Sequence, residues 1–113
     1  MERVKQKEEN TRLLNLINLE LIDNKSVLDL QKSQGFKENS DSILKTQLSF
    51  TMFNRCIDKI ELPENEFIEL IKNNKKLLFF IEQDHVIKEK QCDKMLKSLE
   101  KVISILNCAN NLR

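Results

Sequence analysis

The sequence contains very little of the material from which tight turns and aromatic stacking surfaces are built. Its 113 residues include one glycine, Gly35, and one proline, Pro63, while tryptophan and tyrosine do not occur. Folds with many strands need frequent turn residues, and proteins that bind single-stranded nucleic acid commonly stack bases on aromatic rings. The composition therefore argues against a β-sandwich or barrel and against a base-stacking surface.

Long apolar runs and a signal sequence are missing as well. The longest apolar run covers residues 77–81, whereas a membrane-spanning helix needs ~20 such residues. The N-terminal residues are mostly polar and offer no apolar segment for a signal peptide. Three cysteines, an odd number, then indicate free thiols. We expect no membrane association and an intracellular location, either cytoplasmic or nuclear.

The abundant residues indicate long amphipathic helices. Charged residues make up 33% of the chain and apolar residues 40%, with a formal net charge of +1. A domain that binds nucleic acid through its charge normally shows a concentrated basic face. The lysines at 72–76 and the series Lys90, Lys94, Lys97 and Lys101 are interspersed with acidic residues along the chain. We interpret them as solvated helix faces, and nucleic acid is not the expected partner.

Apolar residues recur at helical spacing in three segments separated by punctuation. Gly35 adopts left-handed geometry freely and is a natural helix stop. Pro63 suits the first turn of a new helix, where its missing N–H has no intrahelical partner to lose. The prediction is a frayed arm at 1–9 and one helical domain at 10–113, with helices at about 8–34, 40–61 and 64–111.

The unequal lengths of these helices suggest two possible folds. At a rise of about 1.5 Å per residue the third helix would be roughly 70 Å long, about twice the second, so its end would extend beyond an antiparallel bundle. We predict an all-α, three-helix antiparallel bundle whose long C-terminal helix extends as a coiled coil. The alternative is a break near 84–90, where polar residues interrupt the pattern, which would make a four-helix bundle.

The extending half of the C-terminal helix carries an apolar heptad face. Large apolar surfaces are seldom left in water, so we expect this face to bind a helix of another protein or of a second copy, an antiparallel dimer included. Two adjacent phenylalanines fall outside the heptad seam and are further candidate anchors. The predicted interface residues are Phe79, Phe80, Met95, Leu96, Leu99, Val102, Ile103 and Leu106.

The sequence predicts no catalytic residue, cofactor or metal site. His85 and Cys92 are seven residues apart, about 10 Å along a helix, which is too far to share one metal ion. In an antiparallel hairpin that turns near Pro63, Cys56 would lie ~24 Å from His85, which excludes a Cys–His dyad in that fold. One glycine cannot build a phosphate-binding loop.

These observations lead to a functional prediction with one alternative. We predict a non-enzymatic helical protein–protein interaction subunit or adaptor of a multiprotein assembly, which binds through its C-terminal heptad face. The alternative is a monomeric four-helix bundle that acts as a small regulatory binder or inhibitor of one target protein. The molar mass of the isolated chain distinguishes the two.

Overall fold

The part of the chain that the computed structural model describes is all-α and forms a helical bundle, as predicted. This part comprises residues 2–34, 47–82 and 89–111. Helix α1 contacts both α2 and α4, and α4 also contacts α3. The helices are α1 (Glu2–Gln34), α2 (Thr51–Cys56), α3 (Glu64–Glu82) and α4 (Glu89–Asn111).

The continuous helix predicted over 64–111 is wrong, and the alternative with a fourth helix is correct. Two contacts show that helices α3 and α4 run antiparallel. Glu69 forms an ion pair with Lys101 at 3.3 Å, and the Asn73 amide donates to the Ser98 hydroxyl at 2.6 Å. Residues 83–88, where the break was considered, lie outside the described residues. Folding back allows α4 to bury its apolar stripe within the same chain instead of extending it into water.

Helix α4 also runs antiparallel to α1. The Lys32 ammonium lies 2.6 Å from a carboxylate oxygen of Asp93 near one end of the pair. Near the other end, the Asn18 amide donates to the Asn107 side-chain oxygen at 2.8 Å. Helix α4 therefore lies between α1 and α3 and contributes to the core through both contacts.

The core is made mainly of leucines at helical spacing, as expected for amphipathic helices that bury one stripe each. On α4 it contains Cys92, Leu99 and Leu106, which repeat at seven-residue intervals. Buried apolar residues are Leu13, Leu14, Ile17, Leu21, Leu28, Leu48, Phe53, Cys56, Ile60, Leu70, Leu77, Cys92, Leu96, Leu99, Val102 and Leu106.

The helix predicted over 40–61 is interrupted within the described residues, in which Gln47 and the short α2 are helical. Residues 48–50 and 60–63 are not helical. We call residues 48–62 the strap, because this segment runs along α1 and is bound to it by buried polar side chains. Residues 35–46, which include the predicted stop at Gly35, lie outside the described residues.

Two asparagines of α1 explain why the strap is not one helix. The Asn24 side chain accepts from the backbone N–H of Ser49 and donates to its carbonyl oxygen, both at 2.9 Å. Asn10 makes the same pair of contacts with the backbone of Glu61, at 2.7 and 3.1 Å. Since a continuous helix would need these backbone groups for its own ladder, each asparagine replaces helical bonds with a tertiary contact.

Glu20 determines where α2 begins. Its carboxylate accepts hydrogen bonds from the backbone N–H groups of Met52 and Phe53 at 2.8 and 2.9 Å, and from the Ser49 hydroxyl at 2.9 Å. The first N–H groups of a helix have no partner within it, and a carboxylate at this end is favourable. A residue of α1 therefore caps α2 across the tertiary contact.

Residues 2–9 of the predicted N-terminal arm are helical and belong to α1, which begins at Glu2. Residues 6–9 are exposed on this first portion. The next residue, Asn10, is buried and bound to Glu61, so the helix is attached to the strap immediately after its exposed turns.

Candidate interaction surface

Five large apolar residues remain exposed among the described residues after the core has formed. Two of them, Ile68 and Phe79, are on α3, where they are 40% and 66% exposed. The other three, Leu19, Ile22 and Leu30, are on α1. Single exposed apolar residues are normal on a protein surface, so their arrangement decides whether they form a candidate site.

Ile68 and Phe79 share the outer face of α3. They are eleven residues apart, which is three helical turns or ~16 Å along the axis. Lys72 and Lys75 lie between them at spacings of four and three residues, and both are exposed. The face thus has an apolar side chain near each end and ammonium groups between them.

The outer side of α4 extends this surface with further lysines. Lys94 and Lys97 are exposed, and Lys101 reaches across to Glu69 of α3. We call Lys72, Lys75, Lys76, Lys94 and Lys97 the basic face. Within the described part of the chain, none of these five lysines forms an ion pair.

Acidic residues of α4 lie on its opposite flank, toward α1. Asp93 pairs with Lys32, and Glu100 lies 3.9 Å from Lys25. They are seven residues apart and therefore share one flank of the helix. This arrangement separates the two signs of charge across α4 and leaves the lysines on the side that continues onto α3.

The structure places the α4 residues of the predicted heptad interface in or against the core of the same chain. Leu96, Leu99, Val102 and Leu106 are buried in the core of the same chain, with 6, 0, 1 and 0% exposure, so in this fold they are not available to a partner. Met95 and Ile103 are half-buried against that core. The apolar stripe was predicted correctly, but α1 and α3 cover it.

The two predicted phenylalanine anchors have different outcomes. Phe79 is the most exposed large apolar residue in the described part of the chain. Its role as an anchor stays a prediction. The side chain of Phe80 lies outside the described residues.

A concave surface lies between α1 and α4, with a volume of about 360 Å³. Its lining combines a lysine, a glutamate and neutral polar residues with two isoleucines, so neither charge nor apolar character dominates. The lining residues are Ile22, Lys25, Glu100, Ile103, Ser104, Asn107 and Cys108.

The nucleophilic and metal-ligating side chains are dispersed. Cys56 and Cys92 are buried and Cys108 is exposed, and none of the three is in a disulfide. The Cys92 thiol lies 3.7 Å from the backbone oxygen of Leu28, a contact within the core. In residues 2–34, 47–82 and 89–111, no group of three or more His, Cys, Asp or Glu side chains could hold a metal ion. His85 lies outside these ranges.

One ion pair on α1 perturbs the titration of its members. The Arg12 guanidinium donates to both carboxylate oxygens of Glu9, at 2.6 and 3.0 Å. This hydrogen bonding lowers the pKa of Glu9 and raises the pKa of Arg12. The pair is exposed and lies on the first half of α1, outside the basic face.

Sequence reasoning missed the polar residues that bind the strap. Asn10 and Asn24 are fourteen residues apart and occupy the same heptad position as Ile17, between them. An asparagine at a position that is otherwise apolar is a signal of a specific buried contact. That signal indicates a tertiary role without identifying the backbone groups that the asparagine binds.

Comparisons with known proteins assign no family to this chain. The chain matches no protein-family model, no curated protein and no solved structure. Among the residues described, no helix combines the length and the apolar character needed to cross a membrane.

Proposed function

We propose that this protein is a non-enzymatic helical interaction subunit or adaptor, which binds a helix of another protein on the outer face of α3. The observation that carries the proposal is the 66% exposure of Phe79 beside a well-packed core. Ile68, three turns away on the same face, supplies a second apolar contact. The proposal replaces the heptad face of α4 by the outer face of α3 as the binding surface.

The energetics favour Phe79 as the anchor of such an interface. Burying a phenylalanine side chain contributes about 1.5–3 kcal/mol, and a few aromatic or apolar anchors commonly supply most of the binding energy of an interface. An amphipathic helix of a partner presents apolar residues at spacings of three, four, seven and eleven. Such a helix laid along α3 can contact Ile68 and Phe79 together.

The test compares proteins that co-purify with the tagged chain and with two matched variants from cells of the source organism. Phe79→Ser removes the proposed anchor, whereas Leu19→Ser removes a similarly exposed apolar residue from α1, 59% against 66%. Circular dichroism checks that both variants keep the helicity of the native chain. We expect quantitative mass spectrometry to show partners that are lost with Phe79→Ser and retained with Leu19→Ser. An identical set of partners for all three chains contradicts the proposal.

The second candidate function is a monomeric four-helix bundle that acts as a small regulatory binder or inhibitor of one target protein. It is favoured by the burial of Leu99, Val102 and Leu106 within the chain, because the stripe most suited to self-association is already covered. Light scattering of the purified chain tests this candidate: a stable dimer excludes it, whereas a monomer is compatible with both candidates.

An intracellular location, cytoplasmic or nuclear, belongs to the same proposal. Cys56 and Cys92 are buried thiols and Cys108 is an exposed one, and none of the three is in a disulfide. Reducing compartments preserve such thiols, whereas secreted proteins usually pair them. Fluorescence microscopy of the tagged chain tests the location.

A further inference from the structure

Exposed positive charge is concentrated on the outer sides of α3 and α4. Residues 70–81 contain three lysines and no aspartate or glutamate. Lys72, Lys75 and Lys76 are all exposed on α3. Each ammonium therefore faces solvent on a helix segment that offers no carboxylate of its own.

The neighbouring helix reinforces the same sign. The Lys101–Glu69 ion pair joins the outer sides of α3 and α4, with Lys94 and Lys97 on the preceding turns of α4. Asp93 and Glu100, which could have neutralised these lysines, instead pair with lysines of α1. Five lysines without an ion pair in the described part of the chain thus adjoin the two exposed apolar residues of α3.

From this juxtaposition we infer that the basic face binds an acidic amphipathic helix of a partner protein, with its apolar side on Ile68 and Phe79 and its carboxylates against Lys72, Lys75 and Lys76. The inference rests on the proposed function and specifies the partner for the same surface. Complementary charge speeds encounter and fixes the orientation of the bound helix. Apolar burial at the two ends of the face supplies the anchoring contacts.

A protein segment fits this surface better than nucleic acid does. The residues of the basic face are all lysines, which act as point charges and lack the planar bidentate geometry with which arginine recognises bases and phosphates. The apolar residues flank the lysines at a spacing of three helical turns, which matches one side of a helix. Charge complementarity and helical spacing therefore agree on an acidic helix.

The experiment uses two synthetic peptides of about 18 residues, or five helical turns. Both carry leucine at positions i, i+4, i+7 and i+11 and helix-forming residues elsewhere, with glutamates flanking the leucines in one peptide and lysines in the other. Fluorescence anisotropy measures their binding to the full chain. A single-stranded and a double-stranded oligonucleotide, labelled in the same way, test nucleic acid as the alternative ligand.

The matched variants exchange charge at two places. Lys72→Glu with Lys75→Glu alters the basic face, and Lys7→Glu with Lys59→Glu makes the same change in net charge at exposed lysines elsewhere. We expect the glutamate peptide to bind at least roughly tenfold more tightly than the lysine peptide, since several exposed charge pairs contribute a few tenths of a kcal/mol each. The first variant should lose at least that factor, and the control variant should keep most of the affinity.

Three outcomes overturn the inference. They are equal affinity for the two peptides, equal losses in the two variants, and oligonucleotide binding that is tighter than peptide binding and depends on Lys72 and Lys75. None of them by itself contradicts the proposed function. That function fails separately, if the partners captured from cells do not depend on Phe79.

Discussion

Helix α1 packs against the strap through one part of its surface and against α4 through another, and the two contacts use its polar residues differently. Toward the strap, Asn10 and Asn24 each satisfy both a backbone N–H and a backbone carbonyl. Glu20 uses both carboxylate oxygens on the start of α2. Each buried polar side chain therefore has partners for its donors and acceptors.

The contact with α4 combines an apolar stripe with incomplete polar bonding. Asn18 donates to Asn107, but its own side-chain oxygen has no partner among the described residues. The buried leucines Leu99 and Leu106 supply the large apolar contribution of α4. The comparison suggests that apolar burial on the α4 side provides most of the stability, while polar bonds on the strap side select one conformation of a short segment.

The largest expected effect tests the apolar contact. Leu99→Ala truncates a side chain with 0% exposure in the core and should lower the free energy of unfolding by about 2–5 kcal/mol. Urea denaturation followed by circular dichroism measures the loss. The whole bundle should unfold at lower urea, because α4 contacts both α1 and α3.

Leu19→Ala is the control for this truncation, since Leu19 is 59% exposed on α1. Surface substitutions of this kind usually change stability by no more than about 0.5 kcal/mol. A loss below about 1 kcal/mol for Leu99→Ala would mean that the α4 contact is not the main source of stability. The strap contact would then be the larger contributor to the free energy of unfolding.

The next effect tests the polar contacts of the strap. Glu20→Ala leaves the N–H groups of Met52 and Phe53 without their buried acceptor, which should cost about 2 kcal/mol. Because the contact is local to the strap, amide hydrogen exchange should accelerate at residues 49–56 more than in α4. Glu8→Ala, at an exposed position on the same helix, is the control.

Uniform acceleration of exchange in α4 and the strap would contradict the local role of Glu20. It would indicate that the strap and the bundle unfold as one unit. Faster exchange confined to the strap would instead sharpen the distinction between a stabilising contact and one that selects a conformation.

The sequence was sufficient to predict the elements whose apolar pattern agrees with their tertiary surroundings. Leu14, Ile17, Leu21 and Leu28 recur at heptad spacing and are buried on α1, which covers the whole of the first helix predicted over 8–34. The all-α class followed from such stripes and from the scarcity of turn residues.

The strap shows where local pattern fails. Leu48, Phe53, Cys56 and Ile60 have spacings compatible with one buried helix, and all four are buried. Asn24 nevertheless occupies the backbone groups of Ser49 that helix formation would use. A bond between residues 25 positions apart depends on the assembled fold, so no local window of sequence contains it.

The candidate interaction surface, like the fold, could be predicted only in part from the sequence. The heptad register separated Phe79 from the core-facing positions, and its exposure agrees with that separation. The register could not determine what covers Leu99 and Leu106, because the same stripe fits a second chain or a helix of the same chain equally well. The choice depends on where the chain turns back, which the mostly polar composition near 84–90 permits but does not require.

The smallest expected effect tests incomplete polar bonding in the contact between α3 and α4. Asn73 is 1% exposed and donates to the Ser98 hydroxyl, but its side-chain oxygen has no partner among the described residues. Replacing both partners of a weakly satisfied buried pair by apolar residues of similar shape is commonly neutral or stabilising. Asn73→Leu with Ser98→Ala should therefore change the free energy of unfolding by no more than about 1 kcal/mol.

The matched variant on the strap side is Asn24→Leu, which likewise replaces a carboxamide group by an isopropyl group. It leaves the N–H and the carbonyl of Ser49 without their partner and should lower the free energy of unfolding by about 1–3 kcal/mol. Urea denaturation of the two variants under identical conditions measures the difference. If the Asn73 double variant is the less stable of the two, the polar residues between α3 and α4 are as necessary as those that bind the strap, and the contrast between satisfied and unsatisfied asparagines does not govern stability in this fold.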